Sequence, residues 1–563
     1  MAQKRDQQIQ KLKSEEFDVL VIGGGATGCG IALDAASRGM RIALIEAGDF
    51  SSGTSSRSTK LIHGGLRYLQ KGIFHFDWKQ LRLVKEGLRE RSTILRLAPH
   101  LTKEQSILIP MYSWPTAVYY RIGLQLYDLL SGAQNLQPSR WLSAEKTVVK
   151  IPQINTKGLK GAIEFFDGLF DDARMNLTLA LTAEQFGGCI ANYVALNGFV
   201  KKNGYITHAI ARDGITGDSW PISAKTFINA AGPFADRVRE LDEAEASPLV
   251  QPSSGTHILL SKRLPLHDSG MIIPQTSDGR ILFLLPWEGG TLVGTTDIAE
   301  AGPECIKPLD KEVRYLLDNI RDKLSVTVSK EDVLAAWKGI RPLVKQQNEA
   351  NTSNLSREHI IEKRPSGLYS IIGGKWTSYR KMAEDMVDEI VQIPCRTKET
   401  LLLGASGFTK DLWKTLVETY GLEEDVAKHM ANAYGDRSST VLEIAMNDNL
   451  LKRISDRYPY IYAEVLYALR NEYACKAIDL LARRMRLAFL DVEETVKVLP
   501  SVVELMGKEL KWSEERMQKE VAACRDELAD NFGVHTETDL NRDQNLFNTP
   551  AECKSDNENV DVR

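Results

Sequence analysis

The chain has 563 residues, a formal net charge of −4, and 43% hydrophobic against 26% charged residues. That length exceeds what one core holds and predicts two or three domains, and the near-balanced charge gives no electrostatic footprint for nucleic acid. Seven scattered cysteines without a CxxC exclude a disulfide framework or zinc site and fit a reducing compartment, and no apolar run of about 18 residues is available to span a membrane.

Residues 1–16 are polar and predict an arm or frayed helix, with no targeting segment visible. Phe17–Ile22 is an apolar run suited to a buried parallel strand. Gly23, Gly25 and Gly28 follow in GxGxxG spacing and open a helical segment that reaches Arg38. A second apolar run, Arg41–Ile45, ends in Glu46. Each part has a mechanical reason: a tight turn, close backbone approach to a pyrophosphate, tight helix–strand packing, and a carboxylate for a ribose diol. A dinucleotide is therefore expected here, and the motif alone does not separate FAD from NAD.

Residues 47–72 are dense in Gly, Ser and Thr. Ser55, Ser56, Ser58 and Thr59 offer hydroxyls, Gly64 and Gly65 open space for a flat ring, and Arg57, Lys60, His63 and Arg67 bring cations. A solvated, capped loop is the plainer alternative. Phe76–Arg96 reads as a helix, and residues 97–160, with Pro99, Pro110, Pro115 and Pro152, as loops and broken helices. Within them Val118–Leu130 is helical and strongly apolar, either buried or resting on a bilayer.

Asp171 or Asp172 reads as the cap of a helix over Ala173–Gln185, and any substrate role for them conflicts with an anionic ligand. Cys189–Leu196 is another strand, with hairpin strands over residues 198–225. Thr226–Ala230 returns to the parallel sheet and delivers Gly232 for close cofactor approach. From about 240 to 335 the pattern becomes alternating strands with turns, which predicts a mainly antiparallel lid. Gly373-Gly374-Lys375-Trp376 then opens a helix from Thr377, a second anion- or carbonyl-binding end.

Beyond Cys395 the pattern is helical to about 534, with Arg483, Arg484 and Arg486 on a salt-bridged or solvated face, or against acidic lipid. Pro500 breaks this pattern and Trp512-Ser513 starts one further helix. Residues 535–563 are polar and predicted disordered. No EF-hand loop occurs and no metal is expected. The fold class expected is α/β: a Rossmann-like dinucleotide domain over 17–395 with the inserted antiparallel β lid, and an all-α C-terminal domain over 396–534.

The segments GGGATGCGIALDAASRG, TSSRSTKLIHGGLRYL, FFDGLFDDARM, NAAGPFAD, LLPWEGGTLVGTTD, GIRPL and GGKWTSYRKMAE stand in this order over residues 17–390. In this the chain resembles the FAD-dependent glycerol-3-phosphate dehydrogenases, and EYACKAIDLLARRMRLAFLD is similar to their mitochondrial branch. The resemblance implies oxidation of sn-glycerol 3-phosphate to dihydroxyacetone phosphate, with electrons passing through FAD to a membrane quinone. It implies partners accordingly: glycerol 3-phosphate, quinone, a membrane surface met peripherally from one side, and a second copy in a homodimer. The location implied is a bacterial or mitochondrial inner membrane.

The cofactor contacts implied are Gly23, Gly25, Gly28, Glu46, Thr54, Ser55, Ser58, Lys60, Leu61, His63, Gly64, Gly232, Gly374, Lys375, Trp376 and Thr377, with backbone near Val194 at the adenine edge. A dianionic phosphate wants guanidinium forks, and Arg67 and Arg341 match the family's arginines there, with Tyr68 adding a hydroxyl. Lys375 stabilises negative charge at flavin or substrate oxygen. His257 matches a family histidine in the lid and is the expected base, with His63 and His359 as competitors. Arg57 stands where relatives also carry smaller residues. The long insertion of the oxygen-using members is missing, which favours a dehydrogenase. The alternatives are a related amino-acid or 2-hydroxy-acid oxidoreductase, an oxygen-using oxidase, and a non-catalytic flavoprotein.

Overall fold

The computed structural model describes residues 4–65, 78–261, 266, 268–276, 279–304, 306–345 and 358–534. Arg67, Tyr68 and the tail over 535–563 lie outside the described residues. Glu16–Ile22 (EFDVLVI) is buried over its last four residues and pairs in parallel with Ile42–Ile45 on one edge and Ser219–Asn229 on the other. Burial on both faces is what an unbroken apolar strand requires. The sheet continues outward through Cys189–Ala191 on one side, and through Leu368–Gly373 and His359–Lys363 on the other, with an antiparallel hairpin Val194–Lys202/Tyr205–Asp213 appended. Helices Ala26–Ser37, Asp172–Gln185 and Tyr379–Asp388 cover one face and share its core. Gly28 lets the first of these sit down on the sheet: a Cβ there would stand 1.8 Å from the Gly23 carbonyl oxygen.

The second sheet is wider than expected. Among the described residues it has ten strands, and it is not confined to 240–335. Thr102–Met111 and Gly161–Phe170 pair antiparallel over their whole length and join the lid strands through a parallel contact with Ser269–Ile273. Val333–Val344 completes it along Val250–Leu260. Residues 97–160 therefore do more than loop. Pro110 sits near the end of its strand, opposite Ala162, where it spares the middle of the ladder. Gly161–Phe170 is buried throughout, so it shows none of the alternation that marks a strand with one wet face.

Residues 396–411 form turns, and from Leu412 onward the chain is mainly helical, with one short hairpin, Arg453–Ser455/Tyr458–Ile461. Helix Val492–Leu510 runs through Pro500, which was expected to break it. Its apolar face, from Val498 to Met506, is buried in one core with Leu259, Trp337 and their neighbours on the cavity-side face of the lid sheet, the face that also carries His257. The Arg483, Arg484 and Arg486 cluster is buried and cannot meet lipid: Arg484 holds both carboxylate oxygens of Asp49 at 2.6 and 3.0 Å, and Arg486 donates to Asp172 at 2.9 Å. The N-terminal arm is a docked helix, Lys4–Ser14, with Ile9 and Leu12 in the core and Arg5 forked onto Asp213 at 2.8 and 3.1 Å. Its partner lies some two hundred residues away in the chain, so polar composition alone read as an arm.

Candidate active site

A cavity of about 1690 Å³ has walls from both sheets. At one end stands the start of helix Ala26–Ser37, where Gly25 supplies no side-chain cap and only the Ser55 hydroxyl meets the Ala26 N–H, at 2.9 Å. Gly23, Gly25, Ala26 and Thr27 line the cavity there. The helix dipole and first-turn amides suit a pyrophosphate. Glu46 also faces the cavity, anchored by the amides of Gly24 at 2.6 Å and Gly48 at 2.8 Å. Burial pushes its carboxyl up while these two amide bonds oppose the shift. Val194 lines the adenosine end, its own N–H taken by the Glu46 carbonyl.

The loop after Glu46 is bound tightly to the glycine-rich turn near residue 374. The Trp376 indole donates to the Ser55 carbonyl at 2.8 Å, the His63 amide to the Thr377 hydroxyl at 3.2 Å, and the Thr54 hydroxyl to the Ile340 carbonyl at 2.5 Å. Leu61, Ser58, Gly232, Gly374 and Lys375 also line the space. Thus two segments some three hundred residues apart form one flat slot, which fits an isoalloxazine.

Lys60, Gly28 and Gly64 do not line it. The Lys60 amine is fully buried behind the loop, donating to Asp172 at 2.6 Å and to the Ser56 carbonyl at 2.7 Å. Burial lowers it to about 7, with Asp172 opposing. Asp172 accordingly is no cap. Asp171 caps the helix, accepting from the amides of Ala173 and Arg174, while Asp172 gathers Ser58, Lys60 and Arg486.

The substrate end is built on two antiparallel strands. Register places Ser253 opposite Arg341, Gly255 opposite Gly339 and His257 opposite Trp337. The Arg341 guanidinium folds over Gly255, where a Cβ would stand 2.3 Å from its Nη2. His257 is two residues further along the same face, about 7 Å away. Arg341 donates to the Ser254 and Thr296 carbonyls at 3.0 and 3.2 Å and pairs with Asp297 at 3.3 Å. It remains 19% exposed to the cavity.

His257 bonds through Nε2 to the Thr59 hydroxyl at 2.9 Å and stacks on Trp337. Burial, first, and the charges of Lys60 and Arg341 hold its imidazole well below its ordinary value, so it is neutral and able to accept a proton. His359, the third candidate base, pairs with Asp385 at 3.1 Å and does not line the cavity. Sequence reasoning missed Thr59 as a partner of His257, Asp297 as a partner of Arg341, and Trp337. Strand register brings in Trp337, and loop closure brings in Thr59 and Asp297.

Residues 18–376 match the model of the FAD dependent oxidoreductases, and residues 395–517 that of the C-terminal domain of alpha-glycerophosphate oxidase. The mitochondrial glycerol-3-phosphate dehydrogenase of Mus musculus is 44% identical over 95% of this chain and 76% of its own length. The probable mitochondrial enzyme of Caenorhabditis elegans is 46% identical over 91% and 73%. The crystal structure of the glycerol-3-phosphate dehydrogenase of Bacillus halodurans, solved with FAD, covers 94% of this chain and 98% of its own at 29% identity, with a TM-score of 0.76. The α-glycerophosphate oxidase of Mycoplasma pneumoniae shares the fold, with a TM-score of 0.54 at 19% identity. The helix start without a side-chain cap from Gly25, the half-buried Glu46 at the end of the second strand and the cavity running on to the turn at Gly374 fit FAD, which is the cofactor of this chain. The chain belongs to the FAD-dependent oxidoreductases, in the family of the glycerol-3-phosphate dehydrogenases.

Proposed function

We propose that the protein oxidises sn-glycerol 3-phosphate to dihydroxyacetone phosphate and passes the electrons to a membrane quinone. The observation that carries this reading is one sheet face presenting a neutral histidine and, from the adjacent strand, an arginine fork that lies over Gly255 and is open to the cavity. Such a pair suits a three-carbon phosphoester, with its C2 hydroxyl toward the histidine and its phosphate toward the arginine. Arg341 takes the phosphate, exchanging part of its contact with Asp297 for a doubly charged ligand. The C2 hydroxyl proton leaves toward the Thr59–His257 pair. Lys375, at the glycine-rich turn, supports negative charge on the reacting oxygens. Bound FAD would supply the hydride acceptor, and the Trp376–Ser55 hydrogen bond joins the two segments that would hold it.

A carboxylate substrate at this site would have to share its arginine with Asp297 while offering only a single negative charge, so amino and hydroxy acids fit less well. The test is anaerobic flavin bleaching with glycerol 3-phosphate, glycine and lactate in turn. Rapid bleaching by the phosphoester alone is expected, and preference for an acid overturns the reading. Oxygen uptake in the absence of quinone separates oxidase from dehydrogenase.

For the membrane partner, helix Trp114–Ser131 supports a peripheral site. Trp114, Val118, Ile122 and Leu129 are all more than half exposed and fall within one quadrant of the helix. Tyr119, Tyr120, Gly123 and Leu124 of the same helix line the cavity, so an apolar outer face leads to the inner slot. No described helix is long and apolar enough to cross a membrane. Sedimentation with lipid vesicles tests this: Ile122→Glu with Leu129→Glu is expected to release the protein, and unchanged co-sedimentation removes the helix as the contact.

A further inference from the structure

Trp337 is fully buried beneath His257, and its indole Nε1 has no hydrogen-bond partner. Packing alone therefore fixes the plane of this ring. The His257 imidazole lies on it, with centroids 5.7 Å apart and planes 13° from parallel. Phe489 meets Trp337 edge-on at 5.0 Å, and Phe532 meets Phe489 edge-on at 4.7 Å. Phe532 is the last residue of helix Glu514–Phe532 and is 3% exposed. The guanidinium of Arg57, from the cofactor loop, lies over the Phe532 ring at 5.7 Å and donates to the carbonyl of Lys338, the neighbour of Trp337, at 3.2 Å. Three rings thus run without interruption from the C-terminal helix to the proposed base. A side chain from the cofactor loop closes the circuit.

We propose that Phe532, acting through Phe489 and Trp337, is a positioning residue that sets the plane of the His257 ring. The C-terminal helix thereby takes part in the chemistry without touching substrate or cofactor. This inference rests on the reading of His257 as the proton acceptor. Edge-to-face pairs have a preferred geometry, so each ring passes an orientation, and not only a volume, to the next. The Thr59 hydroxyl fixes one ring nitrogen, and the Trp337 face fixes the remaining rotation about it. Loss of the Phe532 ring leaves a cavity behind Phe489 into which the stack tilts, and small misplacements of a reacting group carry rate losses far larger than their size suggests. The charged groups facing His257 are Lys60, from the cofactor loop, and Arg341, from the adjacent strand. Lys60 also stands over the Phe489 and Trp337 rings, at 5.1 and 5.5 Å from their centroids, so it packs against the stack that a change at Phe532 tilts.

The test uses the full-length FAD-loaded protein. Phe532→Ala, Phe532→Tyr, Leu528→Ala and His257→Asn are compared by anaerobic single-turnover bleaching across pH. In parallel, the His257 Cε1–H NMR signal is followed, identified by its loss in His257→Asn. Leu528 is a fully buried residue one turn earlier on the same helix, without a ring. Phe532→Ala is expected to slow saturated bleaching about tenfold, leave KM within about twofold, move the His257 signal, and bring its titration up toward that of a free histidine. Phe532→Tyr restores all of these. Leu528→Ala lowers thermal stability but leaves rate and signal in place. Phe532→Leu substitutes should the alanine variant not fold, and the same displacement is expected.

An unmoved His257 signal in the Phe532 variants, or an equal displacement in Leu528→Ala, overturns the proposal. His257→Asn bleaching at the wild-type rate removes His257 as the base. In that event the proposal falls with it as a statement about catalysis, and the NMR displacement separately shows whether the rings set the plane of His257.

Discussion

Two clusters of cations flank the cofactor loop, and they differ in what answers them. Behind the loop, Lys60, Arg483, Arg484 and Arg486 are buried and matched by Asp49, Asp172 and Asp479, also buried. In front of it, Arg341 shares one carboxylate at 3.3 Å, remains partly open, and lies over a glycine. The first arrangement gives each cation a buried carboxylate at 2.9 Å or less and none of the four lines the cavity. The second keeps two guanidinium nitrogens on neutral carbonyl and hydroxyl acceptors, which an incoming dianion outcompetes. The same residue type is thus locked into ion pairs on one side of the loop and, on the other, is left open to the cavity where the proposed substrate phosphate would sit. Burial of the matching carboxylate distinguishes the two.

The largest expected effect lies at the open site. His257→Asn should slow anaerobic bleaching by about 10²–10⁴ with FAD still bound. Because the imidazole is held below its ordinary value, its protonated form, which cannot accept a proton, is populated only at acid pH. The wild-type rate should therefore stay flat through neutrality and fall only well below pH 6.5, and a fall centred at or above that value would show an ordinary, solvated histidine.

The buried cluster predicts the opposite phenotype. Asp172→Asn leaves Lys60 and Arg486 without their carboxylate in the interior, which typically costs about 3–5 kcal/mol. Urea denaturation should show that loss. The KM of whatever folded enzyme remains should be near wild type. A large KM change with unaltered stability would mean that the two clusters are not separate.

Arg341→Ala should raise the KM for glycerol 3-phosphate by about 10–100-fold, the worth of one charge-assisted contact to phosphate. FAD content and stability should be unaltered, since Arg341 is not fully buried. Arg341→Lys should recover only part of this, because an ammonium lacks the planar fork.

What the sequence revealed follows the same division. The glycine spacing and Glu46 are local, so their order alone placed a dinucleotide end. Arg341 and His257 were singled out through motifs in family order, and the structure puts them on one sheet face, on neighbouring strands. The sequence left open whether Asp171 or Asp172 caps the helix; Asp171 does, and Asp172 instead meets partners from residues 58, 60 and 486 that sequence order does not reveal. Thr59 and Trp337 went unseen because their link to His257 exists only through loop closure and strand register. The width of the lid sheet was hidden in Gly161–Phe170, whose complete burial erases the period-two signal.

A third kind of cation sharpens the comparison from its weak end. Arg237 and Glu304 form an ion pair across the adenosine end of the cavity, joining helix Ala235–Asp242 to the lid, and both are about half exposed. Exposed pairs contribute about 0.2–1 kcal/mol. Neither the full burial of the Asp172 cluster nor the ligand-facing fork of Arg341 is present. Glu304→Gln should therefore leave KM and the bleaching rate unchanged and speed FAD release by no more than about fivefold, the rate equivalent of that energy. The effect should fade in added salt as the pair is screened. A larger, salt-independent loss of FAD would place this pair with the buried cations, and exposure would then be a poor guide to which charges hold the molecule together.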